Sequence, residues 1–569
     1  MLLFLFSLAA FASATPSTPW PLPLNLTRGA GNASISPAFS LSCDPSPSCS
    51  PLCTTSSLVA AGFSRYTARM RPPPATLPAA LPTLDAVVVC VASGDETLGP
   101  ATDESYTLAV PSGGTGALSA PTVFGMLHGL ESLAQLLDVF VAPGLRTISG
   151  QLPVLIADRP RFPYRGLLVD SGRHFLPVAQ LLHTIDALAM NKLNVLHWHI
   201  VDDTSFPCGS DAYPALAAHG AYDPTAVYAP ADLRAVVAYG RERGVRILPE
   251  WDVPGHGDWG GVPGVMGCPI VLDPTADATY DMLKRFLGEM AGIFSDPWLF
   301  LGGDEVDATC WDHNPAIAAW LKQHNMTSAQ LQQYFWIQMQ QRVLPGLNKT
   351  IGVWEDDTVQ IDLSSLPSGS FVNVYGQFAT ANRTTSANKT TVVSLGRESW
   401  YMDITFCNYP YAYHANQWEC AYDVTLYDKS WTDLQRSYLL GGEAAMWGEG
   451  INAGNADAYI WRGTAAVAER LWSDLQSTPS HARASQRLAE HLCRLWQLGV
   501  RAGPIGPNFC TGADTGAGPA AAAGAAAAAA ARAAMDGAAR GSDGSVTLSA
   551  AQAAAVREAL RALAKGVSP

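Results

Sequence analysis

The run Leu299-Phe300-Leu301-Gly302-Gly303-Asp304-Glu305-Val306 sets two adjacent carboxylic acids at the end of a short apolar segment. The segment reads as a buried strand, and the two glycines permit a sharp change of direction before the acids. Carboxylates are rarely buried unless paired. Two of them at an apolar strand mouth raise the pKa of at least one, through desolvation and like-charge repulsion. General acid catalysis near neutral pH is the chemistry this suits. A polar turn at an ordinary strand end accounts for the same residues without chemistry, so the rest of the chain must decide.

The elements around this run have a regular order. Between residues 165 and 473, short apolar runs alternate with helical stretches such as Val178–Met190, Asp232–Arg243, Tyr280–Phe294 and Ser328–Val343. Strands are expected at Gly166–Asp170, Asn194–Val201, Val245–Pro249, Trp298–Leu301, Ile351–Trp354, Ser370–Tyr375, Val392–Leu395 and Leu439–Ala445. Eight strands alternating with helices over roughly 300 residues predict a (β/α)8 TIM barrel. A doubly wound sheet is the alternative, but no G-x-G-x-x-G follows the first strand. Barrel enzymes carry their chemistry at the C-terminal strand ends. Here those ends hold Asp170, Asp202, Asp203, Glu250, Asp252, Asp304, Glu305, Glu355, Trp400, Tyr401, Trp447 and Glu449. Asp170 and Glu250 read equally as ion-paired scaffold, and Trp354, Trp400 and Trp447 as core. Indoles beside acids suit a sugar site better, because pyranose C–H faces stack on indoles while acids and arginine bind hydroxyls. His197 and His199 share one strand face. With His256 they would begin a metal site, as in barrel amidohydrolases, but the later strands supply acids rather than histidines.

The chain has 569 residues, enough for two to four domains. Residues 1–14 read as a signal peptide and 15–158 as a small α+β domain ending at Pro160-Arg161-Phe162-Pro163. The barrel is expected over 159–510, followed by an Ala/Gly-rich low-complexity tail over 511–569 with one helix at Ser549–Lys565. With 48% hydrophobic and 15% charged residues, large cores are possible. A net charge of −14 argues against nucleic acid or an anionic membrane as partner. The apolar run LLFLFSLAAF precedes Ala12-Ser13-Ala14, an A-x-A cleavage signal, although a basic start is missing. That run is too short to span a bilayer, and no later segment offers about 18 apolar residues. Export without a membrane anchor is therefore expected, to the outside, a lysosome or a vacuole. Sequons at Asn25, Asn32, Asn325, Asn348, Asn382 and Asn388 agree. Most of the 11 cysteines should then pair. Short separations suggest Cys268–Cys310, Cys407–Cys420 and Cys493–Cys510; Cys43, Cys49, Cys53 and Cys90 make two more pairs of open connectivity, leaving Cys208. No CxxC pair occurs, so a zinc reading is weak.

Several of these stretches stand in the order seen in one family: RGLLVD (165–170) with Arg173-His174-Phe175, HWHIVDD (197–203), EWDVPGH (250–256), LGGDEV (301–306), Trp400-Tyr401, GEAAMWGE (442–449) and AERLW (468–472). With GLESLAQ (129–135) ahead of them, the chain resembles the β-N-acetylhexosaminidases of glycoside hydrolase family 20. The resemblance implies exo-acting removal of terminal β-linked N-acetylglucosamine or N-acetylgalactosamine by substrate-assisted, retaining catalysis. It implies Glu305 as the general acid, Asp304 as the partner of the substrate's acetamido group, and Tyr401 as the donor to its oxygen. Arg165, Glu449 and Asp403 would bind hydroxyls, Asp202 and His256 would support the acids, and Trp354, Trp400 and Trp447 would wall the pocket. No cofactor or metal is implied. The implied partners are N-acetylhexosamine-containing glycans or chitooligosaccharides, and a homodimer is compatible with the reading. Two departures are visible. Tyr375 stands where the family has a tryptophan, and Asp403-Ile404 resembles β-type members, which lack the arginine used for acidic ligands. A silent sugar-binding protein and a metal-dependent amidohydrolase on the same barrel are the rivals.

Overall fold

The computed structural model describes residues 16–72, 81–139, 146–355, 366–367, 369–395, 400–402, 417–474, 480–506 and 510, with two short strands at 539–540 and 546–547. Two compact units emerge, one of residues 1–96 and 103–159, the other of 97–102 and 160–569.

The first unit is α+β. Its strands are β1 (Asn25–Cys43), β2 (Thr83–Val91), β3 (Tyr106–Val110), β4 (Gly114–Ala120) and β5 (Thr147–Asp158), in the order β1-β2-β4-β3-β5. β1 is long because it serves two edges. Its first half runs antiparallel to β5 and its second half parallel to β2. In β2, alternation along VVVCV buries Val87, Val89 and Val91, the period-2 pattern of a sheet with one face covered, and Leu84 is buried on the far side of a register shift. Helices Ser57–Met70 and Val123–Gln135 begin at Ser56 and Thr122, whose hydroxyls accept from the backbone N–H of Val59 and Gly125. Disulfides Cys43–Cys53 and Cys49–Cys90 settle the connectivity left open by the sequence.

The second unit contains the barrel. Its strands are β6 (Tyr164–Asp170), β7 (Val195–His199) and β8 (Arg246–Glu250), then, after the hairpin β9 (Met266–Cys268) and β10 (Val271–Leu272), β11 (Trp298–Phe300), β12 (Thr350–Glu355), β13 (Phe371–Val374), β14 (Thr390–Val393) and β15 (Leu439–Met446). The eight parallel strands close through pairing of Phe300 on β11 with Glu250 on β8. The TIM barrel expected from the apolar alternation is therefore present. Alternate residues of each strand point inward. Tyr164, Leu168, Val195, Leu248, Trp298, Phe300, Trp354, Phe371, Val392 and Ala445 pack into one interior cluster. Burying each large side chain of this kind stabilises by about 1.5–3 kcal/mol. The same alternation decides which side chains can reach the mouth of the barrel.

Disulfides join Cys268 to Cys310 and Cys493 to Cys510, and Cys208 is buried and free. Cys407, Asp403-Ile404, the leader at 1–14 and the helix expected at Ser549–Lys565 lie outside the described residues. No described helix is long and apolar enough to cross a membrane.

Candidate active site

The acid pair sits on a turn that Gly302 and Gly303 make possible. Strand β11 stops at Phe300, and the chain then passes through positive φ at Gly302 (60°), Gly303 (92°) and Glu305 (47°). A Cβ at Gly302 would lie 2.0 Å from Cγ of Asp252, and one at Gly303 would lie 2.6 Å from the Trp336 ring. Both glycines are thus required by conformation and by space. The turn undoes the strand alternation and lets adjacent acids serve one region. One Asp304 carboxylate oxygen, Oδ1, is shut off from solvent and has no hydrogen-bond partner among the described residues. The Glu305 side chain is 61% exposed, with Oε2 3.5 Å from Nε2 of His256.

Asp304 is coupled to Asp252, which ends the EWD segment after β8. Asp252 accepts a 2.8 Å hydrogen bond from the Gly303 N–H. Burial pushes the Asp304 carboxyl up to about 6, aided by the charges of Glu250 and Glu305 and opposed by His256 and by a hydrogen bond with Asp252. Burial and the Asp304 charge raise Asp252 well above the ordinary carboxyl range. Such a pair binds one proton between its two carboxyls.

Behind the acids runs a line of alternating carboxylates and imidazoles. Tyr164 Oη, Asn373 Nδ2 and Ser394 Oγ all donate to Glu443, which faces Nδ1 of His197 at 2.9 Å. Nε2 of His197 lies 3.2 Å from Glu250. Glu250 meets Nδ1 of His199 at 2.7 Å, and Nε2 of His199 meets Asp202 at 2.8 Å. Asp202 lies 3.7 Å from Nδ1 of His256, which in turn faces Glu305. Burial disfavours charge on all three imidazoles, but their carboxylate neighbours outweigh it. His197 is pushed up to about 9, His256 up to about 12, and His199 well above its usual value. Nδ1 of His197 and both ring nitrogens of His199 thus meet carboxylates within 2.9 Å, while Nε2 of His197 only faces Glu250 at 3.2 Å. His256 does belong to two ligand-type triads, Asp202-Asp203-His256 and His256-Asp304-Glu305, each with ligand atoms within 4.8 Å. Both lie within this same acid cluster.

An aromatic wall and an arginine complete the mouth. Trp447 lies edge-on to His199 (centroids 5.2 Å), 5.9 Å from Trp354 and 6.1 Å from Tyr401. Tyr375 stands edge-on to Trp354 at 5.8 Å. The Arg173 guanidinium rests over the Trp447 ring at 5.2 Å, bridges Asp170 (3.1 Å) and Asp202 (2.9 Å), and reaches the exposed Glu449 at 3.5 Å. Asp170 is scaffold: it also accepts from the N–H groups of Gly172, Arg173 and Gly448.

Among the residues singled out from the sequence, Asp202, His256, Asp304, Glu305, Trp354, Tyr401, Trp447 and Glu449 gather here. Two do not. Arg165 lies near the start of β6, on the face opposite to inward-pointing Tyr164 and Leu168. It is fully buried, donates to the carbonyls of Lys192 and Phe162 (both 2.9 Å) and stacks on Trp472. It therefore sits at the wrong end and on the wrong side of its strand to bind substrate. Arg173, eight residues on and past the strand's C-terminal end, occupies the place assigned to it. Trp400 is likewise turned outward: its indole donates to the Ala421 carbonyl and covers Gly442. Its neighbour Tyr401, bridged to Ala445, takes the inward side. Asp252 is a strand-end acid to which the sequence gives no role; its contact with the 302–304 turn needs β8 and β11 side by side. Asp403 is outside the described residues.

The catalytic-domain model of glycosyl hydrolase family 20 matches residues 162–475. A model described as beta-acetyl hexosaminidase like matches residues 19–136. The chain is 34% identical over 530 residues to the human beta-hexosaminidase subunit beta, covering 88% of this chain and 91% of that one. It is 34% identical over 526 residues to beta-hexosaminidase 3 of Arabidopsis thaliana, covering 89% and 94%. The structure of the Flavobacterium johnsoniae chitobiase superposes with a TM-score of 0.70 at 28% identity, over 84% of this chain and 73% of that chain.

Proposed function

The chain belongs to glycosyl hydrolase family 20 and hydrolyses terminal β-linked N-acetylhexosamines, and we propose that it does so with Glu305 as acid–base and the substrate's own acetamido group as nucleophile. The observation that carries this reading is the 302–305 turn. It aims one carboxylate with an unpartnered oxygen inward and holds the other, exposed, against a charged imidazole.

Glu305 gives its proton to the glycosidic oxygen as the C1–O bond breaks. The acetamido carbonyl oxygen attacks C1 and closes an oxazolinium ring. Asp304 accepts the acetamido N–H on its free oxygen, and its charge offsets the cation. Tyr401 donates to the acetamido oxygen. Glu305, now a carboxylate, takes a proton from water as that water opens the ring at C1, so configuration is retained. Positive His256 favours the Glu305 carboxylate during the second half, and Asp202 anchors His256. Arg173 and Glu449 bind ring hydroxyls. Trp354 and Trp447 pack on the apolar sugar face. The substrates are N-acetylhexosamine-ended glycans or chitooligosaccharides. The four disulfides formed wholly among the described residues support an oxidising, secretory-pathway compartment.

Glu305→Gln tests the acid role. Loss of general acid–base help lowers kcat/KM by about 10²–10⁴-fold on an alkyl N-acetyl-β-glucosaminide. On a dinitrophenyl glycoside, whose leaving group needs no proton, the loss is far smaller. Equal losses on both substrates would remove Glu305 from the acid role.

A further inference from the structure

Glu250 lies at the C-terminal end of β8, fully buried, and makes no contact that the catalytic steps above require. Its two oxygens point to two different parts of the site. Oε1 accepts a 2.7 Å hydrogen bond from the Trp354 indole N–H. Oε2 receives His199 at 2.7 Å and faces His197 at 3.2 Å. Through His199 the line continues to Asp202, His256 and Glu305. Trp354 in turn packs against His197, Phe300, Tyr375 and Trp447.

We propose that Glu250 is a positioning residue for the reaction, fixing both the Trp354 wall and the Glu305 acid from one buried carboxylate. This rests on the assignment of Glu305 as acid. The physical reason is geometric. A carboxylate has two acceptor oxygens and no donor, so it demands an N–H from Trp354 and a protonated Nδ1 from His199 at once. A doubly protonated His199 then donates to Asp202 from Nε2. Asp202 is left with one oxygen toward His256 and one toward His199 and Arg173. His256 then stands between the two ends of the line, 3.7 Å from Asp202 on one side and 3.5 Å from Glu305 on the other.

Glu250→Gln separates the two duties. The amide oxygen still accepts from Trp354, but the amide NH2 now meets Nδ1 of His199. That nitrogen must give up its proton, and the charge that orients Asp202 is lost. The expected result is a fold that melts close to the parent, with KM little changed. The kcat/KM value falls roughly 10–100-fold on an alkyl N-acetyl-β-glucosaminide, the usual effect of losing such an outer partner. On the dinitrophenyl glycoside the fall is several-fold smaller. His199→Gln, which breaks the same line one step on, shows the same dependence on leaving group and serves if the first variant does not fold. Trp354→Phe raises KM without that dependence. Unchanged kinetics in Glu250→Gln, or equal losses on both substrates in the two variants, would overturn the proposal. Glu305→Gln measured alongside keeps the outcomes apart. If it too loses both substrates equally, the acid assignment fails first.

Discussion

Arg165 and Arg173 divide scaffold from binding within one segment. Arg165→Met would leave the carbonyls of Lys192 and Phe162 buried without their donor. At about 1–3 kcal/mol per orphaned group, the loss of stability for the two is roughly 2–6 kcal/mol. Denaturant unfolding should show this while KM stays unchanged. Arg173→Lys keeps the charge but cannot span Asp170, Asp202 and Glu449 together. It should raise KM roughly tenfold or more, about 1.4 kcal/mol of lost binding, with little change in unfolding. The opposite pairing of effects would restore Arg165 to the site. Asp252 gives a second test at this scale. Its folded pKa is raised above the unfolded value of about 3.9. Its contribution to stability is therefore fully present below about pH 4 and is lost as pH rises toward the folded value. Asp252→Asn is neutral at every pH, and its amide can still accept from Gly303 and donate to Asp304. Thermal melts should show the variant gaining on the parent between pH 5 and 8, with the gap closing in acid. A gap independent of pH would mean that Asp252 is ionised in the fold. Much at this scale was legible in the sequence. Asp304, Glu305, Tyr401 and Trp447 follow from acids and aromatics at strand ends. Arg165 and Trp400 were misplaced because a motif match ignores strand alternation: each points the other way from the neighbour that faces the barrel. The pairing of Asp252 with Asp304 depends on two strands 51 residues apart, Asp252 being hydrogen-bonded to the 302–304 turn at Gly303, and no local pattern encodes it.

The strands of the barrel were legible because each is a compact apolar run bounded by polar turns, buried on both faces. Strand β1 was not. Its sequence NLTRGAGNASISPAFSLSC carries glycine, proline and small polar residues and is largely half-buried or exposed, so no strand pattern shows in it. Only its double pairing, with β5 and then β2, makes it a strand. Helix Ser57–Met70 lies in the same stretch that composition alone marks as Pro/Ser/Thr-rich. The element most exposed to a single change is the 302–305 turn. Gly302→Ala would add a positive-φ cost of about 1–2 kcal/mol to a collision with the Asp252 carboxyl. The variant should fold with reduced stability and lose most activity, read as a fall in kcat with activated and unactivated substrates alike. Full activity in this variant would mean that the turn does not place the acids.

Across the whole molecule, the sequons sort by local geometry. Asn325, Asn348 and Asn388 are exposed and left-handed, with φ of 51°, 53° and 56°. Asn348 and Asn388 lead into β12 and β14, at the barrel end opposite Asp304 and Glu305. At Asn382 the side-chain oxygen accepts from Gln435, and the sequon's Thr384 is fully buried. Passage through a secretory host should therefore glycosylate the first three and spare Asn382, which glycopeptide mass spectrometry reads directly. A glycan on Asn382 with the other three bare would contradict this sorting.

The central claim is that the substrate, not the protein, supplies the nucleophile. One comparison tests it most directly: kcat/KM for an aryl N-acetyl-β-glucosaminide against the matching aryl β-glucoside, with the same leaving group. If the acetamido oxygen attacks C1, replacing the acetamide by hydroxyl forfeits an effective molarity of about 10⁵ M or more. The glucoside should then be cleaved orders of magnitude more slowly, and no sugar should be found attached to the protein during turnover. Comparable rates on the two substrates, with a glycosyl ester trapped on a carboxylate, would contradict the account and put a protein nucleophile in place of the acetamido group.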